Sequence, residues 1–302
     1  MNLFKKKILD ILRIKVSELR KSNINVLKSS NVVCFAYEPV ADLIGFYGAP
    51  EYKEFNASID YLKKNEGSFH TAIDVGANIG IVSQILSEHF EEVFSFEPNP
   101  QTFKLLELNA SYCLNNNVNP YNLALSHEAG ELILTDWNPY HSGQSKINAT
   151  KEQLSKYESH SFKPRNYKVP CTTLDDFVLS NHIQKVSLIK IDVEGHEKQV
   201  LMGAKKVIKE HSPAIIFEDW DTKKESKSTL RKELEELGYL DFWTLEWQYK
   251  NLISDSKWWS NIINWPYRLF MTSIYGDKMN LVKNHISKLR GYEHVLTIKK
   301  SN

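Results

Sequence analysis

The chain has little cysteine: Cys34, Cys113 and Cys171 are the only three in 302 residues. An odd number at wide spacing offers no disulfide framework, and no CxxC or Cys/His pair has metal-ligand spacing. Reduced, semi-buried thiols in a cytoplasmic protein are the reading that follows. Long apolar runs are also missing, and none approaches the ~18–20 residues needed to span a bilayer. Residues 1–21 do not read as a signal peptide. Asp10, Arg13 and Lys15 interrupt the apolar segment, and no small-residue cleavage site follows. Neither charge is in excess: 38 Lys and Arg against 37 Asp and Glu leave a net +1. A chain that grips nucleic acid usually shows a basic surplus or stripe, so a small or neutral substrate suits this balance better. There is no internal repeat.

A hydrophobic content of 42% can fill a sizeable core, and the length suits one large domain with extensions. Three parts are expected: an N-terminal helix and lead-in over 1–69, a catalytic domain over 70–254, and a Trp-rich extension over 255–302. In the first, Phe4, Ile8, Leu12, Val16 and Leu19 recur at helical spacing. Residues 1–21 also carry seven Lys or Arg against two acids. That helix packs on the domain or a partner subunit, or lies peripherally on a membrane surface.

From Thr71 strands and helices alternate. Strands are expected over 71–75, 92–96, 118–125, 131–135, 167–171, 186–191 and 213–217. Helices are expected over 79–90, 102–114, 174–179, 197–209 and 227–237, the last closed by Gly238. Phe242–Leu245 and Tyr249–Ile253 read as a closing hairpin. Alternation of this kind implies a doubly wound, mostly parallel α/β sheet with helices on both faces. Residues 136–166 lack periodicity, apart from a helical turn or two around 151–159, and a segment that long tends to be a functional loop.

Asp74-Val-Gly76-Ala77-Asn78-Ile-Gly80 ends a strand and opens a helix. Gly76 permits a tight turn and a close approach of ligand to backbone. The helix start presents free N–H groups. Glu97 falls at the end of the next strand, where its carboxylate can accept both ribose hydroxyls of a nucleoside. A dinucleotide site wants G-x-G-x-x-G around a pyrophosphate. Here the spacing is G-x-N-x-G behind an acid, which disfavours a pyrophosphate and suits an ammonium and a sulfonium. S-adenosyl-L-methionine carries both and no phosphate.

A second constellation, Leu188-Ile-Lys-Ile-Asp192-Val-Glu194-Gly195-His196-Glu197, ends an apolar strand in three acids and a histidine. Strand C-termini are where open α/β sheets bind ligands, and crowded titratable groups there shift one another. Asp192 can hold the donor ammonium or the acceptor hydroxyl, and Glu194 or His196 can act as general base. Glu197 also reads as a simple cap of the following helix.

These segments resemble the FkbM-type methyltransferases over about Thr71 to Trp220. The pieces that carry the resemblance are Ile73–Gly80, Phe96-Glu97-Pro98, Asn122–Ser126, Thr173–Phe177, Ile189–Glu197 and Ile216–Glu218. The Lys-Ile-Asp-Val-Glu-Gly piece is the most specific. The resemblance implies a Rossmann-like, seven-stranded sheet with the last strand antiparallel. It also implies O-methylation of a hydroxyl on a sugar, glycolipid or polyketide. Asp74, Gly76, Asn78 and Gly80 would hold the methionine part and the turn, with Ala77 between them. Glu97 and Pro98 would stand at the ribose, Asn122 and Ala124 at the adenine, Asp192 and Glu194 at the reacting end, and Glu218 at the neighbouring strand tip. The family often has a small residue at position 196, which counts against His196 as base. A divalent metal on Asp192, Glu194 and Glu218 is a less favoured option. Alternatives for the whole chain are methylation of nucleic acid or protein, or an inactive donor-binding scaffold. Asp136-Trp-Asn138-Pro139-Tyr140 is a poor match to the Asn-Pro-Pro-Tyr motif of adenine methylases.

Overall fold

The computed structural model describes residues 32–34, 50–65, 67–136, 145–149, 164–219, 229–247, 279–284 and 292–299. The amphipathic segment 1–21, the turn expected at 151–159, the Asn138-Pro139-Tyr140 stretch, Tyr249–Ile253 and the tryptophans at 258, 259 and 265 lie outside them.

Helix α1 (Pro50–Lys64) precedes β1 (Thr71–Val75), α2 (Ile81–Ser87), β2 (Glu92–Phe96), α3 (Pro100–Ser111) and β3 (Val118–Tyr121). Four strands follow: β4 (Ala124–Leu125), β5 (Gly130–Asp136), β6 (Lys146–Ile147) and β7 (Arg165–Thr172). Then come α4 (Leu174–Ser180), β8 (Val186–Ile191), α5 (Glu197–Met202), α6 (Lys205–His211), β9 (Ala214–Asp219) and α7 (Thr229–Glu236). The chain closes with β10 (Asp241–Trp247), β11 (Met279–Asn284) and β12 (Tyr292–Ile298).

The main sheet runs β11-β10-β12-β9-β8-β1-β2-β3. β1 lies between β2 and β8, parallel to both, and β3 and β9 extend the parallel pairing outward. β12 is antiparallel to β9 and to β10, so β10 shares the parallel direction. These seven strands make the expected Rossmann-like sheet with the last strand of the chain reversed. β11 adds an eighth, antiparallel at the edge. The partners of β10 therefore come from 279–298, a region whose part in the sheet its composition does not reveal.

β1 and β8 are buried at every position, as central parallel strands covered on both faces must be. Alternate residues feed two apolar layers. Ile73, Val75, Phe96 and Ile191 pack with Phe177 of α4, Val200 of α5 and Ile208 of α6. Ala72, Val93 and Leu188 pack with Phe55 and Ile59 of α1 and Ile85 of α2.

Three further elements differ from the sequence expectation. The helix expected over 79–90 is shorter because Gly80, at φ 91°, is its N-cap. The helix expected over 197–209 is two helices, broken where Gly203 presses on the Ser126 carbonyl; a Cβ at 203 would stand 1.9 Å from that oxygen. The strand expected over 118–125 divides between sheets. β3 stays in the main sheet, while β4 starts a second one of order β4-β7-β5-β6.

Candidate functional site

The turn after β1 meets the tip of β8 at the centre of the main sheet. Gly76 and Ala77 both donate backbone N–H to the Phe96 carbonyl, at 3.0 and 2.9 Å. Gly76 (φ 76°) and Asn78 (φ 52°) are left-handed, a conformation natural to glycine and tolerated by asparagine. On the other side Asp192 N–H donates to the Val75 carbonyl at 3.1 Å. Glycine is required at 76 for space as well, since a Cβ there would stand 1.8 Å from Asp192 O.

Glu97 sits beneath this turn. Its Oε2 accepts Asn78 N–H at 3.0 Å and its Oε1 accepts Asn99 N–H at 2.8 Å. Each carboxylate oxygen keeps lone-pair capacity for a further donor. Burial raises the Glu97 carboxyl to about 7, against the pull of those two N–H groups and of Lys190. Asn122 Nδ2 donates to the Glu97 and Pro98 carbonyls at 2.9 and 3.1 Å, so it holds the segment that carries Glu97.

A cleft opens at these strand tips. Its apolar wall includes Phe96, Leu123, Leu125, Leu134, Ile147 and Val193. Gly76, Asn78, Glu97, Pro98, Ala124, Ser145, Asp192 and Glu194 supply the rest with Val75. Glu194 is left-handed (φ 54°) and Gly195 follows at φ 101°, a sharp turn at the cleft edge. Burial raises the Glu194 carboxyl; Lys146, 3.6 Å from its Oε2, counters this.

Four residues expected at the donor do not line the cleft. Asp74 is fully buried: Oδ2 accepts the Ser83 hydroxyl at 2.7 Å, and Oδ1 lies 3.1 Å from Lys190 Nζ. An acid so enclosed supports the turn from behind instead of meeting a ligand. Ala77, Gly80 and Asn122 likewise shape the turn and its neighbours. Two residues expected to be catalytic are also outside the wall. The buried His196 shares a 3.0 Å hydrogen bond between Nε2 and Ser126 Oγ. Burial, and then His127, lower it to about 4, so it is a neutral structural imidazole. Glu218 is half-buried near the end of β9. Glu197 Oε1 accepts Gly195 N–H at 2.8 Å and caps its own turn. Among the described residues no three His, Cys, Asp or Glu converge as metal ligands, and Asp192, Glu194 and Glu218 are not brought together.

Sequence reading assigned no role to Lys190, and reached Ser145, Lys146 and Ile147 only as part of the functional loop expected over 136–166. Lys190 carried a signal, being a lone lysine inside an apolar strand. For the other three the signal went no further than that loop, because only the second sheet brings β6 to the cleft.

The site is built of acceptors beside an apolar wall. Asn78 Oδ1 is buried with no hydrogen-bond partner among the described residues. Asn78 Oδ1 and the Asp192 and Glu97 carboxylates are acceptors with capacity for further donors. Residues 74–240 match the family described as the methyltransferase FkbM domain. The chain belongs to the FkbM methyltransferase family. Membership implies S-adenosylmethionine as methyl donor, and the acceptor-rich cleft fits such a ligand. The hexuronic acid methyltransferase AglP of Haloferax volcanii is 32% identical over 130 residues, 43% of this chain and 48% of that protein. Methyltransferase 1 of Beauveria bassiana is 28% identical over 142 residues, covering 43% and 57%. Methyltransferase sdnD of Sordaria araneosa is 25% identical over 229 residues, covering 65% and 85%. The matched part thus spans only about half the length of the first two of these relatives. A crystal structure of an FkbM methyltransferase from Methylobacillus flagellatus aligns over 96% of this chain and 60% of that one, at 14% identity and TM-score 0.39.

Proposed function

We propose that this chain transfers a methyl group from S-adenosylmethionine to a hydroxyl of a glycan, on a sugar that bears a carboxylate. The observation that carries the reading is the cleft at the tips of β1, β2 and β8, where Asn78, Glu97, Asp192 and Glu194 share one wall. Bound there, the donor supplies a methyl group on a positively charged sulfur, open to in-line attack by an oxygen. Glu97 would hold the ribose hydroxyls, and Asn78 Oδ1 with Asp192 the ammonium. Glu194 stands at the outer edge, and burial raises its carboxyl, which favours it as a proton acceptor. Glu194 would take up the proton that the acceptor hydroxyl gives up on methylation. Ser145 and Ile147 contribute to the wall of the cleft. Lys146 is a cation 3.6 Å from Glu194 of the wall. It supports an anionic acceptor, as does the name of the Haloferax relative.

Calorimetry with S-adenosylmethionine and with its demethylated product tests the donor half; binding of neither defeats it. Turnover on uronate-terminated oligosaccharides should exceed that on their carboxyl-reduced forms, and equal turnover removes the anionic acceptor. Glu194→Gln should lower turnover about 10²-fold or more, with donor affinity within about threefold of wild type. Unchanged turnover takes Glu194 out of the mechanism.

A further inference from the structure

On the α1 and α2 face of the main sheet, an otherwise apolar surface is crossed by one polar row. Ser95 of β2 pairs in register with Asp74 of β1, and Asp74 with Lys190 of β8. All three are buried, with 3% of the Lys190 side chain exposed. Ser83 of α2 completes the row from above: its hydroxyl donates to Asp74 Oδ2 at 2.7 Å and accepts from Ser95 Oγ at 2.9 Å. A buried ion pair is a poor source of stability, because desolvating two charges offsets most of their attraction. Apolar residues at 74 and 190 would hold the strands at least as well, so the row calls for another reason.

That reason lies at the end of the lysine chain. Lys190 Nζ donates to the Gly76 carbonyl at 2.9 Å and lies 3.6 Å from Asp192 Oδ2. Both belong to the cleft wall. The Lys190 side chain therefore spans two segments of the cleft wall, the glycine turn after β1 and the acidic tip of β8, with Asp74 3.1 Å from its Nζ.

We propose that Lys190 is a positioning residue for the methyl donor. It fastens the Gly76 turn to the β8 tip and orients the Asp192 carboxylate along the cleft. The proposal rests on the donor occupying this cleft, which binding to the wild-type chain tests separately.

Lys190→Met alone strands the buried Asp74 charge and invites unfolding. The informative variant is Asp74→Asn/Lys190→Met, which removes both charges and leaves the net charge unchanged. It should melt within about 5 °C of wild type. Its S-adenosylmethionine dissociation constant should nevertheless rise about tenfold or more, as expected from losing one charge-assisted hydrogen bond. A purely structural role predicts that restored stability restores binding. Asp192→Asn provides the second readout. In the wild-type background it should weaken donor binding about tenfold, and in the double variant by less than about threefold, because the carboxylate is already misplaced. Wild-type affinity in the stable double variant overturns the proposal. So does full additivity with Asp192→Asn. A double variant that does not fold assigns Lys190 to stability alone and overturns it as well.

Discussion

A methyl group at position 76 has nowhere to go. The Asp192 carbonyl oxygen would lie 1.8 Å away, and it belongs to backbone that cannot swing aside. The left-handed φ of 76° adds a strain that glycine alone escapes. Gly76→Ala must push the turn off the β8 tip, which also separates the Gly76 carbonyl from Lys190. Chemical denaturation should show a loss of about 2–4 kcal/mol, and donor binding should fall below detection by calorimetry. A variant that keeps both wild-type stability and donor affinity would mean that the two loops are not in contact.

At the scale of elements, the cleft depends on a two-residue strand. β6 is fastened to β5 through the pairs Leu134 with Ile147 and Thr135 with Lys146. It reaches across the site by two polar contacts: Asn99 Nδ2 donates to Ser145 Oγ at 3.0 Å, and Lys146 faces Glu194. Asn99 follows the Glu97 segment and Glu194 follows β8, so β6 ties opposite sides of the cleft together. Ser145→Ala removes one tie. It should speed donor release about fivefold, the worth of roughly 1 kcal/mol for a net side-chain hydrogen bond. Stopped-flow chase with the demethylated product reads that rate. An unchanged rate would show that the Asn99 contact does not restrain the strap. The second sheet that carries β6 was not legible beforehand. Val118–Leu125 reads as one strand, and only the turn at Asn122-Leu123, held by the bonds from Asn122 to the Glu97 and Pro98 carbonyls, sends its end into another sheet.

Two buried groups give the whole molecule opposing pH responses. Glu97 is raised from 4.5 to about 7, so between those values the folded chain binds a proton that the unfolded chain has lost. Stability from this source is complete below about 4.5 and declines as pH rises toward 7. His196 is lowered from 6.5 to about 4, so its contribution is complete above 6.5 and declines as pH falls toward 4. The windows overlap between about 4.5 and 6.5, where the slopes cancel, each at most about 1.4 kcal/mol per pH unit. Glu194 adds to the first trend, and His89 and His211 to the second. Relative to wild type, Glu97→Gln should tilt stability upward with pH across that window, and His196→Gln should tilt it downward. Urea midpoints measured from pH 4.5 to 6.5 decide this, and tilts of the same sign would contradict the burial of one group.

Much of this protein could be read in advance because local chemistry dictated it. An apolar strand followed by Gly76, Asn78 and Gly80 turns sharply whatever surrounds it. Continuous apolar runs such as Val186–Ile191 pack in a sheet covered on both faces. Glu97 one strand further on follows from parallel topology. Tertiary structure alone decided which acids meet the cleft, because a carboxylate's role depends on its neighbours across the sheet. Asp74 is enclosed by Ser83 and Lys190, His196 is drawn to Ser126, and Asp192 and Glu194 are left at the opening. The strands of 279–298 were hidden for the same reason: they are edge and closing strands chosen by pairing with β9 and β10, and pairing between distant segments leaves little trace in either one.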